Sequence, residues 1–354
     1  MDVSLKEKLL GEYQVRKTAE QKQRFGKFVL SYCSAHGLKA EIETVGKSTK
    51  SRNIIIGDVN SADTVFTAHY DTCAVMPMPN FITPLNMPLY LLYQVAILLP
   101  VAAAALLMRW LLGTINTNLG NAGAILVVAL FLVQIMAGIA NKHTANDNTS
   151  GVAAVLEAAA KMPEEGRKKT AFVLFDNEES GMRGSSAFFA AHKDVMQKKA
   201  VINFDCVSDG DNIMLGRSKT FAAMEGSAEA CELLKGLAAE KGKTLVLPEP
   251  GKGFYPSDQS SFPCGLSVAA LRNTRRGLLY MNRIHTPRDT VFDEVNIDLL
   301  ADWACAVTAQ GGIRPLSENP KMPKLSKKLL IFAVSVIAGF LLGLLIGGVI
   351  RPLF

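Results

Sequence analysis

The order of its segments predicts an α/β fold for this chain, a three-layer sandwich with a mostly parallel central sheet, carrying three transmembrane helices. Strand-like runs alternate with helical periodicity through the polar part of the sequence, the pattern of sheets covered on both faces. Candidate metal-binding side chains follow the ends of strand-like runs, and open parallel sheets gather ligands beyond their carboxyl ends. The hydrophobic excess, 49% of all residues, is concentrated in three long apolar stretches.

Residues 1–30 alternate charged with apolar positions (Leu5, Leu9, Leu10, Tyr13, Phe25, Phe28, Val29). That pattern predicts an amphipathic helix, without the uninterrupted apolar stretch of a secretory signal. EIETV (41–45), NIIIGDV (53–59) and TVFTAHY (64–70) read as short strands with polar or glycine breaks. A helix is expected after NDNTSG (146–151), capped by Asn148, Thr149 or Ser150, with Val152, Val155 and Leu156 on its apolar face. KTAFVLF (169–175) and KAVINF (199–204) have the composition of strands buried on both faces. Ser185–His192, Ala222–Glu240 and Asn296–Gln310 read as helices, and LSVAALR (266–272) as a further strand.

Between Asp71 and Lys142 the only charged residue is Arg109. Within that stretch Leu89–Met108 and Ala122–Ala140 are apolar runs of about 20 residues, enough to cross a hydrocarbon core as helices, and Pro100 is tolerated there. Leu329–Ile350 is a third such run, with Gly339, Gly343, Gly347 and Gly348 at a spacing that permits close helix contact. The expected domains are therefore a discontinuous polar body (1–80 and 143–318), an inserted transmembrane hairpin (81–142), and a linker with a last transmembrane helix (319–354). Lys142, Lys321, Lys324, Lys327 and Lys328 border the spans on the body's side, opposite Arg109 and Arg351. The positive-inside bias then makes this a multi-pass membrane protein with its body in the cytoplasm and the lipid bilayer as a partner. Asp147 follows the second run by seven residues, so it lies within about 25 Å of the membrane border. The hairpin is expected either to hold the catalytic mouth near the bilayer or to act only as an anchor.

The net charge of +6 belongs mostly to this border and an exposed surface, and no nucleic-acid motif gives it another meaning. Six cysteines without CxxC spacing read as free thiols in a cytosolic body. Cys73 and Cys206 lie beside presumed ligands, and packing is their expected role.

Five potential ligands run in the order His69, Asp147, Glu179, Asp205 and His285, within TAHYDT (67–72), NDNTSG, FDNEES (175–180), NFDCVS (203–208) and RIHTPRDT (283–290). Two imidazoles and three carboxylates combine borderline nitrogen with hard anionic oxygen, a set suited to paired zinc ions. Glu178 adds a carboxylate free to take a proton from water, as metal-assisted hydrolysis requires. Asp71, two residues beyond His69, is placed to accept the imidazole N–H and fix the ring. His36, His143 and His192 read as surface or packing residues, and Asp176 and Asp211 as turn or capping residues. A structural hydrogen bond is expected for Asp258, in SDQSSF (257–262). Tyr255 reads as exposed packing, with oxyanion stabilisation as the alternative.

Taken together, HYD, DNTSG, NEESGMRGSSAF, NFD and IHTPRDT resemble the signatures of the co-catalytic two-zinc aminopeptidases, a family that includes glutamate carboxypeptidases and glutaminyl cyclases. The resemblance covers roughly residues 40–73 and 143–312, and the chain departs from it at Gln259, where the family often has His. It implies two Zn2+ ions: Asp147 bridges them, His69 and Asp205 complete one site, and Glu179 and His285 the other. It further implies attack by a hydroxide shared between the ions, with Glu178 as general base, on peptide substrates. GMRGSSAF (181–188) favours a membrane-anchored aminopeptidase over a glutaminyl cyclase. A catalytically silent receptor or scaffold of the same fold is a third reading, against which stands the retention of every ligand and of Glu178. A transporter fits poorly, because the apolar runs carry few polar side chains beyond Gln94, Gln134 and Ser335. The sequence leaves side-chain preference, the end that is trimmed and the oligomeric state open.

Overall fold

In the computed structural model nine strands join in one sheet: β1 (Ala40–Val45), β2 (Ser51–Ile56), β3 (Thr64–His69), β4 (Thr170–Phe175), β5 (Ala200–Phe204), β6 (Asn212–Arg217), β7 (Thr244–Val246), β8 (Gly265–Asn273) and β9 (Leu279–Tyr280). The structure describes residues 4–47, 50–76, 78–253 and 255–321. They fall into two units, one built from the segments up to Asn86 and from Ala140 onward, the other containing Met87–Ile139. The expected span Leu329–Ile350, with Lys324, Lys327 and Lys328, lies outside the described residues.

The sheet order is β1-β2-β4-β3-β5-β8-β6-β7, with β9 on β8. Only its middle, β4-β3-β5-β8, is continuously parallel. Pairs β1–β2, β2–β4, β6–β8 and β8–β9 are antiparallel and the edge pair β6–β7 is parallel, so "mostly parallel" holds for the centre and only in part for the flanks. Between β1 and β2 the few connecting residues allow a reversal but no crossover.

Alternation along the central strands creates two cores, one on each face. Ile54, Phe66, Leu174, Ile202 and Phe204 pack with the helices Ala19–Ala35, Gly151–Lys161 and Glu294–Ala309. Ile55, Val65, Val173, Phe175 and Val201 pack with Phe188 and Met196 from the helical segment on the other side. These are the three layers of the sandwich. Trp303 is fully buried in the first core, beside Phe66 and Phe204, and its indole N–H donates to the Ala230 carbonyl at 2.7 Å.

Helices form near most of the expected places. The stretch expected as one helix over 222–240 instead breaks before Ser227, where Gly226 has a φ of +88° and its missing Cβ would come within 2.6 Å of the Gly312 carbonyl.

The second unit holds two helices, Met87–Gly113 and Thr117–Ala137, each long and apolar enough to cross a membrane. The Asn116 side chain caps the second, accepting from the amides of Asn118 and Leu119. A Cβ on Gly120 would stand 2.6 Å from the Arg109 carbonyl oxygen, and one on Gly123 the same distance from Leu112, so glycine is what lets this pair close. Leu92, Leu99, Ile125 and Leu130 are exposed on the pair.

Trp303→Ala is expected to cost about 3–5 kcal/mol of stability, removing a large core side chain and leaving the Ala230 carbonyl without its donor. Urea unfolding followed by circular dichroism measures it.

Candidate metal centre

Strand β3 lies between β4 and β5 and runs parallel to both, so three carboxyl ends are adjacent. His69 is the last residue of β3, Asp205 directly follows β5, and Glu178 and Glu179 lie in the turn after β4. Asp147 and His285 come instead from loops: Asp147 from the turn that opens the helix Gly151–Lys161, and His285 from the loop after β9.

The Asp147 turn is tied to the loop after β5 by its own side chains. Asn148 donates to the Phe204 carbonyl at 2.9 Å and accepts from the amides of Gly151 and Cys206. Asn146 accepts from the amides of Ser208 and Asp209, and Ser150 donates to the Asn146 carbonyl while accepting from Val207. Gly151 is required here, because a Cβ would fall 2.3 Å from the Phe204 carbonyl oxygen. Asp147 and Asp205 are thereby fixed relative to one another. The peptide bond between Asp147 and Asn148 is cis.

The structure brings the five expected ligands together. His69 Nε2 is 3.3 Å from Asp147 Oδ1 and 3.6 Å from Asp205 Oδ1. His285 Nε2 is 2.9 Å from Asp147 Oδ2 and 3.5 Å from Glu179 Oε2. Each oxygen of one carboxylate thus addresses a different imidazole. His69 Nδ1 donates to the Asp71 carbonyl at 3.0 Å, which leaves the Nε2 lone pair aimed at carboxylate oxygens. Such a contact is repulsive unless a proton or a cation sits between the atoms. Glu179 Oε1 and Asp205 Oδ1 are buried with no hydrogen-bond partner among the described residues. The donor set and its orphaned oxygens fit divalent cations.

Asp71 acts differently from expectation. The main-chain carbonyl of Asp71, not its carboxylate, holds the His69 ring. The carboxylate reaches across to the turn after β4, accepting from the amides of Glu178 at 2.9 Å and Glu179 at 3.2 Å. Two amide donors at hydrogen-bond distance win over an imidazole nitrogen 3.7 Å away. Asp71 is thus a positioning residue for the glutamate pair. Asp176 braces the same turn, accepting from Lys22 Nζ at 2.6 Å and from the Arg52 amide.

Two contributors carry no signal that sequence reasoning used. Asp289, within IHTPRDT, accepts from the amides of Asn146 and Asp147 at 2.7 and 3.0 Å, so it holds the Asp147 peptide. Its place ahead of NDNTSG is not visible without the fold. Arg16 is fully buried; its guanidinium donates to the Tyr70 carbonyl and to Thr149 Oγ1, and its charge faces Asp71 and Asp147. Tyr255 is buried near Asp205 and Cys206, not exposed. In the SDQSSF loop Gln259 makes the structural hydrogen bonds, to Asn203 and to the Tyr255 carbonyl. Asp258 itself is buried, with neither oxygen hydrogen-bonded among the described residues.

Electrostatics follow from the burial. Desolvation pushes Glu178 well above the usual carboxylate range; His69 opposes this, and Asp258 and Glu179 add to it. Burial and Asp147 push Glu179 up to about 8 against the pull of His285. Burial alone would raise Asp147, but hydrogen bonds to His285 and His69 outweigh it and hold the carboxylate below its ordinary value. Desolvation would lower His285, yet Glu179 and Asp147 push it up to about 10. Four non-glycine residues in these loops, Asn177, Met182, Cys206 and His285, adopt left-handed φ of 55–59°, local strain that the surrounding contacts must sustain.

A model of the family described as peptidase family M28 matches residues 133–309, half of the chain. The chain belongs to peptidase family M28. It is accordingly a zinc-dependent metallopeptidase, a hydrolase of peptides. No curated protein matches it significantly in sequence. Among solved structures, Porphyromonas gingivalis glutaminyl cyclase is similar with a TM-score of 0.52 and 16% identity, over 85% of this chain and 93% of that one. The LapA aminopeptidase of Legionella pneumophila gives 0.50 and 14%, over 86% and 67%. Macrostomum lignano glutaminyl cyclase gives 0.50 and 13%, over 88% and 91%. At these identities the likeness is one of fold.

Glu179 and His285 both bind a proton more tightly folded than unfolded, so the stability this contributes is present in acid and lost as pH rises. In chelator, this M28 chain's melting temperature is expected to fall between pH about 4.5, the ordinary Glu value, and about 10. Zinc favours the deprotonated ligands and should flatten that fall, widening the gap between loaded and stripped protein with pH. Melting curves across the range, with zinc and with chelator, test it.

Proposed function

We propose that this peptidase is a membrane-anchored aminopeptidase that releases amino-terminal residues from peptides with two zinc ions. The observation that carries the reading is the Asp147 carboxylate, one oxygen turned to each imidazole. His69 and Asp205 would hold one ion, Glu179 and His285 the other, and Asp147 both. When bound, such a pair supplies Lewis acidity toward a peptide carbonyl and toward water, typically from ions about 3.5–4 Å apart.

The remaining chemistry belongs to side chains. Glu178 is the general base, taking a proton from the attacking water and handing it to the leaving amine. Burial and the neighbouring Asp258 and Glu179 raise its proton affinity, the direction that favours a base taking a proton from water. Asp71 keeps the two glutamates in place through their amides, so that one can bind metal while its neighbour serves as base. His285, with 27% of its side chain exposed, is the most open of the five ligands and marks the side from which a peptide enters. The two apolar helices anchor this unit to the bilayer, and the lysine border of the sequence favours the cytoplasmic face.

A glutaminyl cyclase is the second reading, because two of the solved structures that share the fold are cyclases. Products separate the two. The detergent-purified chain is expected to liberate free amino-terminal residues from a mixed peptide set, whereas ammonia released from amino-terminal glutamine would assign a cyclase. Glu178→Gln should lower kcat by roughly 10²–10⁴-fold while zinc content stays unchanged. Equal activity in that variant would remove Glu178 from its role.

A further inference from the structure

Cys73 was expected to pack, yet its surroundings are not apolar. The buried thiols Cys33, Cys231 and Cys264 belong to the large core, and Cys206 to a smaller apolar cluster. Cys73 belongs to none of the apolar clusters, although only 2% of it is exposed. Its Sγ instead lies in a group with Asp147, Glu179 and His285, all four donor atoms within 4.8 Å of one another. Around a tetrahedral ion with bonds of about 2.0–2.3 Å the donors stand about 3.3–3.8 Å apart, so the widest pair would draw in by up to about 1 Å.

The backbone holds the thiol there. The Cys73 carbonyl accepts from the Asn141 amide at 3.1 Å, Ala74 bridges Ala140, and the Met76 amide donates to the His285 carbonyl at 2.7 Å. Cys73 and His285 are thus tied through adjoining segments. Glu179 turns Oε2 toward His285 at 3.5 Å, and its other oxygen, Oε1, is buried with no hydrogen-bond partner among the described residues.

We propose that Cys73 is a fourth protein ligand of the ion held by Asp147, Glu179 and His285. As the sulfur–metal bond forms, the thiol proton leaves to solvent. The two ions then differ in kind. The one at His69, Asp147 and Asp205 has nitrogen and oxygen donors only and keeps an open position. The one at Cys73 has a sulfur donor among four protein ligands, and prefers soft cations over manganese or magnesium. This rests on reading the cluster as a metal centre, and the experiment separates the two claims.

The full-length chain in detergent is stripped and loaded with Co2+, and absorption and bound cobalt are recorded for the wild type, Cys73→Ser, Cys73→Ala and Cys206→Ser. The wild type and Cys206→Ser are expected to show an intense near-ultraviolet sulfur-to-cobalt charge-transfer band. Both Cys73 variants should lose it while keeping visible cobalt bands. Visible bands without the charge-transfer band in the wild type would overturn the thiolate ligand and leave the metal centre standing. Failure of the wild type to bind cobalt at all would overturn both. If neither Cys73 variant folds, blockage of Cys73 from alkylation by bound zinc, reversed by chelator in the wild type, supports the ligand, and equal labelling in both states overturns it.

Discussion

Crowded negative charge at one end of the sheet is the constraint around which this molecule is organised. Asp71, Glu178, Glu179 and Asp205 sit within a few residues of strand ends, Asp147 and Asp258 come from other segments, and all six are removed from most solvent contact. In a medium of low polarity such carboxylates cannot all ionise without cations beside them. The chain supplies part of the compensation itself. Arg16 is buried behind Asp71 and Asp147, Lys22 reaches Asp176, and two imidazoles stand among the acids. What remains uncompensated is what divalent ions would neutralise, so stability and chemistry draw on the same charges.

The geometry of the acids is set by amides more than by side-chain pairs. Asp71 grips the two glutamate amides, Asp289 grips those of Asn146 and Asp147, and Asn146 grips those of Ser208 and Asp209. Those made by the two aspartates are charge-assisted, and such bonds are short and directional. They fix where each loop leaves its strand or helix, and the ligands follow. A loop that would otherwise be mobile becomes a rigid mount.

Much of this was legible in the sequence, for definite reasons. Buried strands such as β4 and β5 show as unbroken apolar runs, and residues just past their ends are visible as acids against that background. His69, Asp147, Glu179, Asp205 and His285 stand in short polar motifs that punctuate the apolar pattern. The antiparallel flanks of the sheet were not legible, because pairing direction depends on how the chain returns and not on strand composition. Asp71 was found but given the wrong partner: proximity to His69 in sequence hid the turn after β4, more than a hundred residues on. Arg16, Asp289 and Cys73 owe their meaning to three-dimensional neighbours alone. A lone arginine, an acid beside a proline-containing turn, and a thiol after a strand are ordinary residues until folding shows what they face.

The hydrophobic insert interrupts the enzyme between two of its ligands, with His69 before it and Asp147 after it. On a ribosome, His69 therefore emerges first, then the apolar excursion, and only afterwards Asp147, Glu179, Asp205 and His285. Because a helical hairpin returns its two ends to one place, and Ala74 and Ala140 clasp at its neck, the detour costs little in chain closure. Biogenesis thus acquires an order: the pocket can close only after the whole insert and the segments beyond it have been made.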